Sequence, residues 1–202
     1  MENRKEYSPE EGWKQTGLTF ASGTPRRDEV SLILQATSSG TSIFDPVLSE
    51  LVCRWFCPPG GHILDPFAGE SSKGIIAAKL GYGYTGIELR QEQVDANQFQ
   101  ARKFNLQVGW VCGDAHDLDI LVPKGEMFDL VFTSPPYYDL EIYSESEKDG
   151  SAFETYEKFM VWYWEIFDQA VKRLKNNRFL VVKVGEIRDK EGWYRNFVPP
   201  QD

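Results

Sequence analysis

Residues Phe128 to Tyr143 read Phe-Asp-Leu-Val-Phe-Thr-Ser-Pro-Pro-Tyr-Tyr-Asp-Leu-Glu-Ile-Tyr. The first six have the length and apolar, β-branched character of a buried strand, and the run breaks at Ser134 into two prolines and two tyrosines. Proline fixes φ and has no N–H, so Pro135 and Pro136 make a stiff corner whose carbonyls lack local amide donors. Ser134 adds a hydroxyl, the Pro135 carbonyl has a rigid direction, and Tyr137 supplies a flat face beside them. Two acceptors next to an aromatic plate suit a planar ring with an amino group, such as a nucleobase turned out of its helix. An ordinary strand-to-loop turn has a similar composition, so the corner gains weight only from a second motif.

Around this stretch the chain alternates. Helices are expected over 46–57, 72–80, 91–104 and 153–175, and strands over 62–64, 84–89, 107–112, 127–133 and 179–184. Tyr156, Phe159, Tyr163, Phe167, Val171 and Leu174 form one face of the long helix, which a helix of this kind buries as core. The β-α-β-α order predicts a parallel sheet with helices on both sides. Residues 1–40 are polar and interrupted by Gly, Pro and Ser. A capping-box pattern at Ser8-Pro9-Glu10-Glu11 and an apolar run from Val30 to Gln35 are the only structural signals in this arm.

The 202 residues, 41% hydrophobic and 26% charged, suffice for one soluble domain with a proper core. No window approaches the ~18 apolar residues of a membrane span, and the polar start is not a signal peptide. A cytoplasmic protein of a bacterial or phage-infected cell is the expectation. Cys53 and Cys57 lie in a predicted helix with no second pair at zinc spacing, so buried thiols and no metal are expected. His62 and His116 occupy no evident base or nucleophile position. The net charge of −9 argues against broad attraction to phosphates, leaving Arg26, Arg27, Lys172, Arg173, Lys175 and Arg178 as local basic clusters. The last four read as the basic end of a helix.

In parallel α/β sheets ligands sit beyond the carboxyl ends of the strands, where strand order reverses. The first strand runs out through Asp65-Pro66-Phe67-Ala68-Gly69-Glu70-Ser71, in which Gly69 allows a tight turn and the next helix offers free N–H groups. Glu88-Leu89 ends the second strand about 20 positions later, where a carboxylate accepts hydrogen bonds from ribose hydroxyls. Asp114-Ala115 follows the third strand, where an adenine amino group would be read. A pyrophosphate would be repelled by Asp65, Glu70, Glu88 and Asp114 together, whereas a cofactor bearing a sulfonium and an ammonium would be attracted. That favours S-adenosylmethionine over a dinucleotide. Gly69-x-Ser71-x-x-Gly74 only imitates the dinucleotide fingerprint, and the phosphate-binding Gly-Lys-Ser/Thr ending is excluded by Ile75. A strand-end acid is, by itself, more often a helix cap.

Asp65-Pro66-Phe67-Ala68-Gly69 followed by Thr133-Ser134-Pro135-Pro136-Tyr137 resembles the cofactor and catalytic loops of the DNA amino-methyltransferases, which modify cytosine N4 or adenine N6. Thr41 to Pro46, with Phe44 and Asp45, resembles the segment that closes over the cofactor's methionine end. The stretches from Tyr138 to Ser144 and from Val184 to Phe197 resemble phage and prophage members. The resemblance runs from about Thr41 onward and implies a Rossmann-like S-adenosylmethionine-dependent methyltransferase domain over 41–202. The setting it implies is DNA methylation of the restriction-modification or phage kind. It implies a cofactor site of Phe44, Asp45, Asp65, Pro66, Phe67, Ala68, Gly69, Glu70, Ser71, Glu88, Leu89, Asp114 and Ala115. Asp65, Phe67, Gly69 and Ser71 would surround the methionine part, Glu88 would hold the ribose and Asp114 the adenine. It implies a catalytic group of Ser134, Pro135, Pro136 and Tyr137, with DNA as the partner and its target base flipped. Serine at 134 is the usual form in cytosine N4 enzymes.

The chain departs from the family in two places. Glu70 stands where glycine is common, which adds a charge beside the cofactor loop and would weaken binding there. The chain also stops at Asp202, before the usual C-terminal strand pair, and leaves no room for a target-recognition domain. The arm 1–40, a partner chain or a dimer would then have to help grip DNA. A shortened domain that binds cofactor or a partner without catalysis, and an RNA or protein amino-methyltransferase, are the alternatives.

Overall fold

The structure, a computed structural model, describes residues 43–136, 153 and 155–184, and the backbone of 187–188 and 194–195. The arm 1–40, Tyr137 and the stretch from Tyr138 to Ser144 lie outside the described residues, as do most of those from Val184 to Phe197. The chain divides after Gly40 into two units, and everything described belongs to the second.

Among the described residues five helices and seven strands follow in order: α1 Pro46–Phe56, β1 His62–Asp65, α2 Ser72–Lys79, β2 Gly83–Glu88, α3 Gln91–Lys103, β3 Gly109–Cys112, α4 Leu118–Leu121, β4 Phe128–Thr133, α5 Tyr156–Lys172, β5 Leu174–Val182, β6 Ile187–Arg188 and β7 Tyr194–Arg195. A 3-10 turn, Ala115–Asp117, precedes α4. The main sheet has the order β3-β2-β1-β4-β5, and every pairing in it is parallel. All six residues of β4 are buried, as an interior parallel strand covered on both faces requires. Alternate side chains divide between two cores. Ile63, Leu130 and Phe132 face α1, α2 and α3 with Val52, Ala77 and Val94, while Leu64 and Val131 meet Leu118 and Ala170 on the other side. No described helix is long and apolar enough to cross a membrane.

Local chemistry sets the helix ends. Asp45 Oδ1 accepts from Val47 N at 2.8 Å and Leu48 N at 3.3 Å, capping α1 ahead of Pro46. Cys57 and the prolines after it end that helix. Cys53 and Cys57 are buried free thiols. Burial pushes the Cys53 thiol up to about 12 and the Cys57 thiol to about 11, which makes both inert.

Two expectations need correction. The last helix ends at Lys172 and β5 begins at Leu174, well before Phe179, so Lys175 and Arg178 are strand residues. They pair with Asp129 at 2.8 and 3.3 Å. Arg173, the C-cap of α5, is turned inward onto Asp119 and the Pro123 carbonyl, so of the four residues only Lys172, in the last turn, and Arg173 lie at the helix end. The register shifts opposite Phe128 and Leu130, and Asn177 nearby takes φ 59°. On α5 the buried face is Phe159, Tyr163, Ile166, Phe167 and Ala170, while Val171 is exposed. As expected, the main sheet of the described residues ends at five strands without a C-terminal pair added to it; a short antiparallel pair, β6 with β7, forms a separate sheet.

Candidate active site

Because all five strands run the same way, their carboxyl ends share one edge, and strand order reverses between β1 and β4. The glycine loop therefore leaves the sheet beside the serine-proline corner, with the Glu88 and Asp114 loops next along the edge. This is the crevice in which parallel sheets place their ligands.

The glycine loop is held from beneath. Asp65 is fully buried. Its Oδ1 accepts the Thr133 hydroxyl at 2.6 Å, and its Oδ2 accepts the Tyr84 hydroxyl at 2.8 Å and Lys73 Nζ at 2.6 Å. Lys73 is itself 3% exposed. Burial and the Asp65 charge push the Tyr84 phenol well up. Asp65 thus supports the loop from beneath, its carboxylate committed to these three side chains. Pro66 and Ala68 are also buried, and Ala68 N donates to the Ile87 carbonyl at 2.9 Å. Gly69 turns at φ 59°, and a Cβ built there meets no described atom within 4 Å, so the loop's upper surface is open. Its carbonyl accepts from Asn97 Nδ2 at 2.8 Å.

The carboxylates at this edge are held mainly by backbone amides. Glu88 Oε2 accepts from Gly69 N at 3.1 Å, and its Oε1 accepts from Arg90 N at 3.1 Å and faces the Arg90 guanidinium at 3.4 Å. Burial raises its carboxyl above the ordinary value. Glu70 folds back over the loop: its Oε1 accepts from Phe44 N at 3.0 Å and its Oε2 from Ser72 N and the Ser72 hydroxyl, both at 2.8 Å. Burial raises Glu70 as well. Its carboxylate therefore occupies the anion position at the start of α2, where a pyrophosphate would otherwise bind. Ser71 precedes that helix and makes no side-chain cap. Asp114 Oδ1 accepts from His116 N at 2.9 Å and caps the 3-10 turn. Asp45, exposed and spent on capping α1, shows no link to the glycine loop, whereas Phe44 reaches it through Glu70. Leu89 accepts the Cys112 thiol at 3.6 Å, and Ala115 is buried under its turn.

At the corner, the Ser134 hydroxyl donates to the Lys183 carbonyl at 3.2 Å, and Lys183 N donates to the Thr133 carbonyl at 2.9 Å. Ser134 and Pro136 are half-buried and Pro135 is buried. Phe67 projects from the loop toward α5, with its ring 5.6 Å from Trp162 and 6.2 Å from Phe167. Lys73, Tyr84, Thr133 and Asn97 are the site-building residues that sequence reasoning passed over. Only Lys73, a lone base in an apolar helix start, carries a visible signal.

No protein-family model and no curated protein matches the chain. Solved structures do match. TrmN from Thermus thermophilus superposes with a TM-score of 0.54 at 20% identity, over 69% of this chain and 38% of that one. The CcbJ methyltransferase from Streptomyces caelestis gives 0.52 at 17%, over 72% and 51%. A Streptococcus mutans protein solved in complex with SAH gives 0.50 at 11%, over 70% and 73%. The chain thus spans well under half the length of TrmN. What these likenesses establish is the architecture: residues from α1 through β5 adopt the Rossmann-like fold of S-adenosylmethionine-dependent methyltransferases.

Proposed function

We propose that this domain transfers a methyl group from S-adenosylmethionine to an exocyclic amino group of DNA, with cytosine N4 favoured over adenine N6. The observation that carries it is the Ser134-Pro135 corner at the tip of β4, tied to the glycine loop of the neighbouring β1 by a hydrogen bond from Phe67 N to Thr133 Oγ1 at 3.2 Å.

The residues present fit the cofactor. The self-filled anion position at α2 disfavours a phosphate, Glu88 suits a ribose diol, and Asp114 keeps its second oxygen beside the third strand. When bound, the cofactor supplies a methyl carbon made electrophilic by a sulfonium. The chain's own contribution is to the amine. Since the Ser134 O–H is directed at the Lys183 carbonyl, its lone pairs remain to accept a hydrogen. The Pro135 carbonyl, held in a fixed direction by the two proline rings, accepts the other. An amino nitrogen whose hydrogens are held this way is drawn out of conjugation with its ring and gains a usable lone pair. Tyr137 is proposed to stack on the flipped base, offsetting part of the few kcal/mol of unstacking. The arm 1–40, a second copy or another chain is proposed to supply target grip.

Tritiated-methyl transfer to plasmid DNA, followed by mass spectrometry of the nucleosides, tests this. Methylated cytosine is expected. Cofactor binding without incorporation would instead support a domain that holds the cofactor without catalysis.

A further inference from the structure

Thr133 and Asp65 are 68 positions apart and meet in one buried knot. Phe67 N lies 3.2 Å from both Asp65 Oδ1 and Thr133 Oγ1, and the Phe67 carbonyl accepts from Lys73 Nζ at 3.2 Å. Both backbone groups of one loop residue are therefore gripped, one of them by the residue that immediately precedes Ser134. The Thr133 hydroxyl donates to Asp65 and accepts from Phe67 at once, so it sets the separation of loop and corner. Thr133 is fully buried, and valine, of the same shape, would take a partner from both the Asp65 carboxylate and the Phe67 amide, so the hydroxyl stabilises the knot as well as fixing the spacing across it.

We propose that Thr133 is a positioning residue for methyl transfer, holding the Ser134-Pro135 acceptors at a fixed distance from the Gly69 turn through Asp65 and Phe67 without itself touching either substrate. The proposal rests on the function given above.

The full chain is compared with Thr133→Val, Thr133→Ser and Thr133→Ala, the last a second hydroxyl-less variant should valine fold poorly. Three quantities are read: the Kd for S-adenosylmethionine by calorimetry, kcat for methyl transfer to plasmid DNA, and hydrogen exchange at the Phe67 amide. Displacing reacting groups by a fraction of an ångström should lower kcat about 10- to 100-fold in the valine and alanine variants, with Kd moved less than about threefold and serine within about threefold of wild type throughout. Phe67 exchange should quicken in valine and alanine only. A valine variant as active as wild type overturns the proposal. So does equal loss in valine and serine that tracks a lowered melting temperature. A wild-type chain that binds cofactor but methylates nothing sinks the functional reading instead. The clamp is then judged on Phe67 exchange, which upholds it if faster in valine and overturns it if unchanged.

Discussion

Asp129 at one edge of the sheet and Glu70 with Glu88 at the other are driven in opposite directions by their surroundings. At the amino-terminal edge Asp129 is answered by two cations, Lys175 and Arg178, and by the His62 amide. Though burial opposes it, the sum of these contacts holds the Asp129 carboxyl below its ordinary value. At the carboxyl edge Glu70 rests on two backbone amides and a hydroxyl and Glu88 on two amides and the Arg90 guanidinium at 3.4 Å, and burial outweighs these contacts and leaves both raised. Charge at one edge is neutralised for stability. At the other, burial dominates for Glu70 and Glu88 and favours their protonated forms.

The largest expected effect would break the contrast where the carboxyl edge does use a cation. Lys73→Met leaves the buried Asp65 charge unpaired and should cost about 3–5 kcal/mol in urea denaturation, with the double variant carrying Asp65→Asn recovering part of it. Ser134→Ala should separate chemistry from stability, lowering methyl transfer about 100-fold while the melting temperature holds. The mirror experiment at the opposite edge, Lys175→Met, should cost only about 1 kcal/mol in urea, because Lys175 is half-exposed and Arg178 still answers the buried Asp129, and should leave transfer intact. Glu88→Gln removes one of the anionic acceptors proposed for the ribose and should weaken cofactor Kd about tenfold by calorimetry.

Acidity gives the smallest effect and the sharpest contrast in sign. Glu70 and Glu88 keep a proton to higher pH in the folded chain than in the unfolded one. Their contribution is therefore fullest below the ordinary carboxylate value and is lost as pH rises through their raised values. Asp129 runs the other way: its contribution is present above its ordinary value and lost as pH falls through the lowered one. Urea midpoints measured from pH 3 to 7 should show the high-pH loss shrink in a Glu70→Gln, Glu88→Gln double variant, while the low-pH loss persists.

Glu70 shows how a residue's chemistry can be legible and its role not. A carboxylate in place of glycine reads as a charge pushed toward the cofactor. In the structure it turns back to cap α2 and anchor Phe44, so the charge is spent on amides. Asp45 and Asp114 likewise prove to be caps, the ordinary use of an acid at such positions. The start of β5 was hidden because the helical period of α5 continues into Leu174, and only pairing with β4 ends the helix there.

Period and local chemistry, which act over a few residues, were enough by themselves to place alternating strands and helices, the Gly69 turn and the rigid corner after Thr133. Which side chains hold those two loops together was decided only on folding. The contacts that do so join Asp65 to Thr133, Lys73 and Tyr84 across separate elements, and a buried hydroxyl or ammonium has no local partner by which its place could be foretold.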